Sequence, residues 1–314
     1  NHKLPSVFIR LDIDNPPQIE DKLAGLSTLL SNMMGNGTEK IPKDKFNEDI
    51  DFMGATLRLT STGGSASCLT RFYPKVMAMM SDALINPALE ENEMRKEKDK
   101  LIESLKADEK NVKAIGTRVA AALIYGKNHP FGEYSTVETI ETIQLKHIKK
   151  YHKTYVRPNH AFLTIVGDVN PNETKKMVKR LYRKWKSKKI PLTTYPEVKN
   201  NPKTEILMVD MPNAVQSEIF IANVYDLQMN HSDYFSLKLA NQILGGSATA
   251  RLFMNLREDK GYTYGSYSSA STSRYKARFL ATASVRSAVT AASIKEIINE
   301  ISHIRNEFVL KEEL

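Results

Sequence analysis

One order of elements runs through this chain twice: strand, helix, glycine turn, helix, hairpin, helix. In the first half, alternating residues in "SVFIRLDI" predict a strand at about 6–13. A helix over about 18–34 follows, with Ile19, Leu23, Leu26, Leu30 and Met33 as its apolar stripe. "PKDKFNEDIDFMG" reads as a shorter helix closed by Gly54, and "ATLRLTSTGGSASCLTRFY" as two strands around Gly63 and Gly64. A helix is expected from Pro74 to about 86. The second half has strands at about 204–210 and 216–224, helices at about 232–244 and 249–258, a hairpin in "YTYGSYSSASTSRYKARFLATASV" and a helix at about 288–307. Matched order with weak residue identity points to an internal duplication. Hairpin and sequential-helix connections imply an α+β fold of antiparallel-rich sheets, each covered by helices on one face.

Between the repeats a long charged helical pattern starts at "NPALEENEMRKEKDKLIESLKADEKN" and is broken by "NHPFGEYS". A short helix near 143–154, a buried strand in "HAFLTIVGDV" and a basic helix follow. "IPLTTYPEVKNNPKT" is rich in proline and threonine and reads as a linker. The expected organisation is a first domain over 1–189, a linker over 190–203 and a second domain over 204–314. The second is expected to be incomplete, because "FVLKEEL" stops in polar helical sequence. The N-terminal "NHKLPSVFIRLDID" is expected to enter a strand at once and reads as no signal peptide, as the start of a mature or excised fragment also would.

Composition narrows the function classes. No apolar run approaches ~18 residues, so no membrane-spanning helix is expected. Cys68 is the only cysteine, which excludes an intrachain disulfide and a thiolate cluster; in "ASCLTRFY" it reads as a buried structural thiol. The net charge of +9 raises nucleic acid as a partner. The local excess in "KKMVKRLYRKWKSKK" is, however, interleaved with Met177, Val178, Leu181, Tyr182 and Trp185 at helical spacing. That is an amphipathic helix with a solvated basic face, and no nucleic-acid module accompanies it. Both bacterial periplasm and cytoplasm stay open as compartments.

The most informative stretch is "GLSTLLSNMMGNGTEK", a helix running into a glycine turn. Its inner positions carry Thr28, Ser31 and Asn32, spaced i, i+3, i+4. Two metal ligands and a base at this spacing would share one helix face, yet none of the three residues is an imidazole, thiolate or carboxylate, the donors zinc takes. Nor does neutral Ser31 take a proton from water as a carboxylate can. His147 and His152 are five apart and diverge on a helix; His129 in "NHPFG" and His160 in "RPNHAF" fit packing at loops and strand edges.

The segment resembles the pitrilysin/insulinase family of zinc metallopeptidases, whose motif helix reads H-x-x-E-H within G-L-A-H-x-L-E-H-M…G-T-E-K. Gly25, Leu26, Met33 and the run Gly37, Thr38, Glu39, Lys40 keep that frame. Thr28 and Asn32 stand where the histidines would be, and Ser31 where the general base would be. "NHPFGEYSTVETIETI", "YHKTYVRPNHAFLTIVGDVN" and "ILGGSATARLFMNLREDKGYTYGSYS" extend the likeness over nearly the whole chain. The resemblance implies a third zinc ligand on the long downstream helix. In "EKDKLIESLK" Glu97 takes the earlier acidic position and Ser104 the ligand position; a slip of one residue would bring in Glu103, which otherwise points about 100° away. Arg58 and Leu59 in "GATLRLTS" replace the residues of the family's substrate-pairing strand.

In "NLREDKGYTYGS" the pair Arg257 and Tyr264 is kept. The resemblance implies that such a pair comes from the zinc-free half and hydrogen-bonds substrate carbonyl oxygen in the partner's zinc site. Read alone, Arg257 would be a cation at a helix C-terminus and Tyr264 a core aromatic, with Tyr262 close by. The implied protein is a non-catalytic half or subunit of a pitrilysin-like peptidase, forming part of a peptide-degrading chamber. It would hold no metal itself; zinc belongs to a catalytic partner with the intact motif. The alternative is a non-proteolytic structural or interaction module of the same fold.

Overall fold

The computed structural model describes residues 3–191 and 193–313, apart from the side chain of Glu312. The elements in chain order are β1 (Ser6–Ile13), α1 (Leu26–Met33), α2 (Lys43–Phe52), β2 (Thr56–Thr60), β3 (Gly63–Leu69), α3 (Tyr73–Ile85), α4 (Glu91–Asp108) and α5 (Val112–Tyr125). They continue with α6 (Val137–Thr142), α7 (Leu145–Tyr155), β4 (Ala161–Gly167), α8 (Pro171–Leu181), β5 (Gln216–Tyr225) and α9 (Tyr234–Gly245). Last come α10 (Arg251–Phe253), running into a π-helical turn (Met254–Asp259), then β6 (Thr263–Ala270), β7 (Ala277–Arg286) and α11 (Thr290–Asn306). The chain divides into two compact units, 1–106 with 134–194, and 107–133 with 195–314.

In the first unit the strands lie in the order β2-β3-β1-β4, with every neighbouring pair antiparallel. Alternation along β1 sends Val7, Ile9, Leu11 and Ile13 into a core shared with Leu29, Leu30, Val76, Met77, Met80 and Ile148 from α1, α3 and α7. Phe8, Phe162 and Val166 stay exposed. The Trp185 indole N–H donates to the Val156 carbonyl, and Met177, Val178, Leu181 and Tyr182 pack on the same core, so the basic segment is anchored by its apolar stripe.

The second unit has the order β5-β7-β6, also antiparallel. Ile219, Ala281, Ala283 and Val285 face Leu244, Leu252, Leu256 and Ile297 from the helical layer. The sequence β1, α1, α2, β2, β3, α3 is thus matched by β5, α9, α10, β6, β7, α11. In each unit the third strand of this series pairs with the first and the second.

The strand expected to be buried in "HAFLTIVGDV" is β4, which alternates and leaves Phe162 and Val166 exposed. Four further local expectations differ from the structure. The helix predicted over 18–34 begins only at Leu26: Gly25 sits at φ 101°, in left-handed space that an L side chain disfavours. A Cβ there would lie 2.3 Å from Cδ1 of Ile140. The strand expected at 204–210 does not form; Ile206, Leu207, Met208 and Val209 are all exposed. The helix expected over 249–258 is mostly π-helical, with the Lys260 amide bonded to the Asn255 carbonyl, five residues back. Finally, residues 107–133, expected in the first domain, group with the second unit. Gly116 of α5 lies where a Cβ would be 2.6 Å from the Phe220 ring of β5, so this helix comes close to the sheet face opposite α9–α11. Tyr125 joins Val198 and Val224 in a small cluster on that side.

Candidate functional site

Helix α1 is set by both of its ends. Its first amides are held by a carboxylate: Gly25 N and Ser27 N donate to the two oxygens of Glu20, each at 2.8 Å. A negative group at a helix N-terminus satisfies orphan donors and opposes the macrodipole favourably. At the other end the Asn36 carboxamide donates to the Asn32 carbonyl before the glycine turn. Leu26, Leu29, Leu30 and Met33 take the buried stripe, which leaves Thr28 and Asn32 facing solvent rather than inward.

Ser31 lies between those faces and is half-buried. Its Oγ donates to the Ser27 carbonyl at 2.7 Å and accepts from the Ser61 amide at 3.0 Å, with Ser61 Oγ also at 3.0 Å. The position that would hold a general base therefore ties α1 to the turn between β2 and β3. Sequence spacing carried no sign of Ser61 or Glu20 as partners of this helix.

The structure tests whether zinc would fit. Thr28 and Asn32 are exposed neutral side chains, and the Ser31 hydroxyl is committed to Ser27 and Ser61. Ser104 and Glu103 on α4 are both exposed, while Glu97 pairs with Lys100 at 2.8 Å. Among the described residues no group of three His, Cys, Asp or Glu could hold a metal. The residues present do not fit the metal.

His129 and His152 serve packing, and His160 is exposed. His129 is buried, and its Nδ1 accepts from the Phe131 amide. His152 Nε2 bonds the Leu84 carbonyl at 2.9 Å, near the end of α3, and burial lowers its pKa. The Cys68 thiol is buried and its pKa raised by desolvation, which favours the unreactive thiol. β2 is an edge strand, with Arg58 exposed and Leu59 in the core.

The second unit presents its pair differently. Arg257 lies on the π-helical turn, its guanidinium 4.8 Å above the Phe253 ring and its Nε 3.6 Å from Glu258. About half of this side chain is exposed (46%). Tyr264 follows at the start of β6, and a bulge decides where it points. Thr263 opposes Val285 and Ser266 opposes Ala283, so Tyr264 and Gly265 together face Ser284. Strict alternation back from buried Ser266, Ser268 and Ala270 would bury Tyr264. The extra residue instead turns it outward, to 86% exposure. Thr263 clamps the bulge, donating to the Ser284 carbonyl at 2.6 Å and accepting from Gly265 N at 3.1 Å. Tyr264 is thus no core aromatic. Neighbouring Tyr262 is half-buried, with its amide bonded to the Leu256 carbonyl. The signal for the bulge was present: a lone glycine inside a strand pattern, Gly265.

Comparison with known proteins gives the family. The family model described as the peptidase M16 inactive domain matches residues 142–314, and that of insulinase, peptidase family M16, matches residues 17–129. An uncharacterized zinc protease, YmxG, of Bacillus subtilis is 24% identical over 258 residues, covering 79% of this chain and 60% of that protein. The mitochondrial-processing peptidase subunit beta of Caenorhabditis elegans is 22% identical over 262 residues, covering 77% and 55%. This chain therefore spans less than two thirds of the length of these relatives. The crystal structure of a peptidase M16 inactive domain from Pseudomonas fluorescens superposes with a TM-score of 0.88 at 19% identity, covering 99% of this chain and 77% of that one. A motif helix without metal donors and a matched family model over more than half the chain lead to one conclusion: the chain belongs to peptidase family M16, as a non-catalytic, peptidase-like member.

Proposed function

We propose that this chain is the zinc-free half of an M16 peptidase, walling part of a peptide-degrading chamber and lending Arg257 and Tyr264 to the zinc site of a catalytic partner. The partner, a separate subunit or another segment, carries the intact H-x-x-E-H and the zinc. The observation that carries the reading is the bulge at Tyr264 and Gly265. It takes a large aromatic side chain that alternation would bury and presents its phenol to solvent. Bulges of this kind re-aim side chains beside active sites. Arg257, exposed on a π-helical turn of the sort that recurs at functional sites, supplies a cationic planar fork. Guanidinium and phenol are both donors suited to a carbonyl oxygen that gains negative charge as it is attacked.

The test is peptide hydrolysis by this chain combined with saturating catalytic partner. Arg257→Ala and Tyr264→Phe should each lower kcat by about 10²-fold to 10³-fold, the range for losing one oxyanion donor. Arg257→Lys should recover little of the loss, since an ammonium lacks the planar fork. Tyr262→Phe should leave kcat nearly unchanged. Co-elution with the partner and the thermal melt of each variant report whether assembly and folding survive. Equal activity in all four variants, with assembly intact, would leave only the non-proteolytic scaffold reading.

A further inference from the structure

The positive charge of this chain is concentrated in one stretch. Residues 144–189, all in the first unit, hold fourteen lysines and arginines against two carboxylates, Asp168 and Glu173, a formal charge of +12. The whole chain is +9, so everything outside that stretch sums to −3. Thirteen of the fourteen cations are exposed, and none of the fourteen forms a salt bridge among the described residues.

The cations form stripes. On α7, Lys146, Lys149, Lys150 and Lys153 recur at i, i+3, i+4, i+7, opposite Ile148 in the core. On α8 and the turn after it, Lys176, Lys179, Arg180 and Arg183 repeat that spacing, with Met177, Val178 and Leu181 packed inward. The Trp185 bond to the Val156 carbonyl and one of 3.1 Å from the Lys188 amide to the Asn159 side chain bring "KWKSKK" against the end of α7. Helix stability does not account for these charges. Cations favour only the last turn of a helix, yet Lys146 is in the first turn of α7, a helix with no acidic residue. In the same unit α4, also rich in lysine, shows the ordinary solution: Lys96 pairs with Glu93 at 2.7 Å and Lys100 with Glu97 at 2.8 Å.

The chemistry of the face fits a diffuse anionic surface. Eleven of the fourteen cations are lysines, point charges without the planar fork used for bidentate recognition. Lysine is also depleted from protein–protein interfaces. No large apolar side chain of α7 or α8 is exposed to anchor a partner. Tyr151, Tyr182 and Trp185 pack on the core and Tyr155 lies against Tyr151, ring centroids 4.5 Å apart, so no open ring is offered for stacking bases.

We propose that this face seats the chain on the surface of an anionic lipid bilayer, held by charge and without insertion. Polybasic clusters on amphipathic helices bind such surfaces, each lysine multiplying the affinity about fivefold. The apolar stripes of α7 and α8 are committed to the core, so neither helix has a face left to enter hydrocarbon.

Co-sedimentation of the 314-residue chain with vesicles tests this. Equal parts of phosphatidylglycerol and phosphatidylcholine should bind it at about 0.05 M salt, and pure phosphatidylcholine should not; about 0.5 M salt should release it by screening. Lys146→Gln, Lys149→Gln, Lys150→Gln and Lys153→Gln together should lower the affinity about 10²-fold to 10³-fold and leave the thermal melt unchanged. The same change at Lys45, Lys75, Lys96 and Lys100, which are ion-paired elsewhere on the first unit, removes equal charge. It should cost less than about fivefold, because those lysines lie off the face. The proposal fails if anionic vesicles do not bind the chain at low salt, if both quadruple variants lose equally, or if high salt does not release it. It fails also if duplex DNA or polyglutamate displaces the chain from vesicles at a lower concentration of anionic charge than the lipid presents.

Discussion

Replacing Ser31 by alanine separates a structural role from a catalytic remnant. The hydroxyl accepts from the Ser61 amide at 3.0 Å, and Ser61 is buried in the turn after β2. Ser31→Ala leaves that amide without its acceptor, a cost of about 1–3 kcal/mol for a buried donor. Alanine returns a few tenths of a kcal/mol through better helix propensity. The Ser27 carbonyl loses little, since it keeps its place in the helical ladder. The net expectation is a loss of about 1–2 kcal/mol. Thr28→Ala and Asn32→Ala, at exposed positions, should each stay within about 0.5 kcal/mol of the parent. Urea unfolding of the three variants, with unchanged m-values, gives the comparison directly. Neutrality of Ser31→Ala, or an equal loss at Thr28 or Asn32, would refute the view that only the base position has become a tie between α1 and the hairpin.

Two further predictions concern metal and pH. The triple variant Thr28→His, Ser31→Glu, Asn32→His should bind no stoichiometric zinc by elemental analysis and hydrolyse no peptide, because Ser104 supplies no third donor. One tightly held zinc per chain would instead assign Glu103 or Glu97 that part. For His152, burial chiefly, with Arg157 and Lys153 adding, holds the folded pKa below the ordinary 6.5. The unfolded chain then gains a proton first as pH falls. Stability from the neutral ring is therefore full above 6.5 and is lost as pH drops from there through the folded pKa. His152→Gln should flatten that part of a stability-versus-pH curve measured by denaturant unfolding; an unchanged slope would contradict it.

Some features of this protein follow from residue type and short-range pattern alone. Period-2 alternation is local, so β1 was legible, as was the matched order of elements in the two halves; β4 was read as a buried strand, whereas Phe162 and Val166 on it are exposed. The absence of zinc donors on α1 is a property of Thr28, Ser31 and Asn32 that no packing could reverse. Elsewhere the deciding partner lies far along the chain. Helix α1 starts only after Gly25, which is held at φ 101° with Ile140 filling the space beside it, and Ser31 is engaged because a turn brings Ser61 to it. The segment at 107–133 joins the second unit because Gly116 admits the Phe220 ring. "EILMVD" has every local mark of a strand, but a strand exists only when another backbone bonds it, and none among the described residues does. Tyr264 makes the same point at the candidate site. Its side of the sheet depends on one extra residue in the pairing of β6 with β7, a register that only the tertiary structure decides.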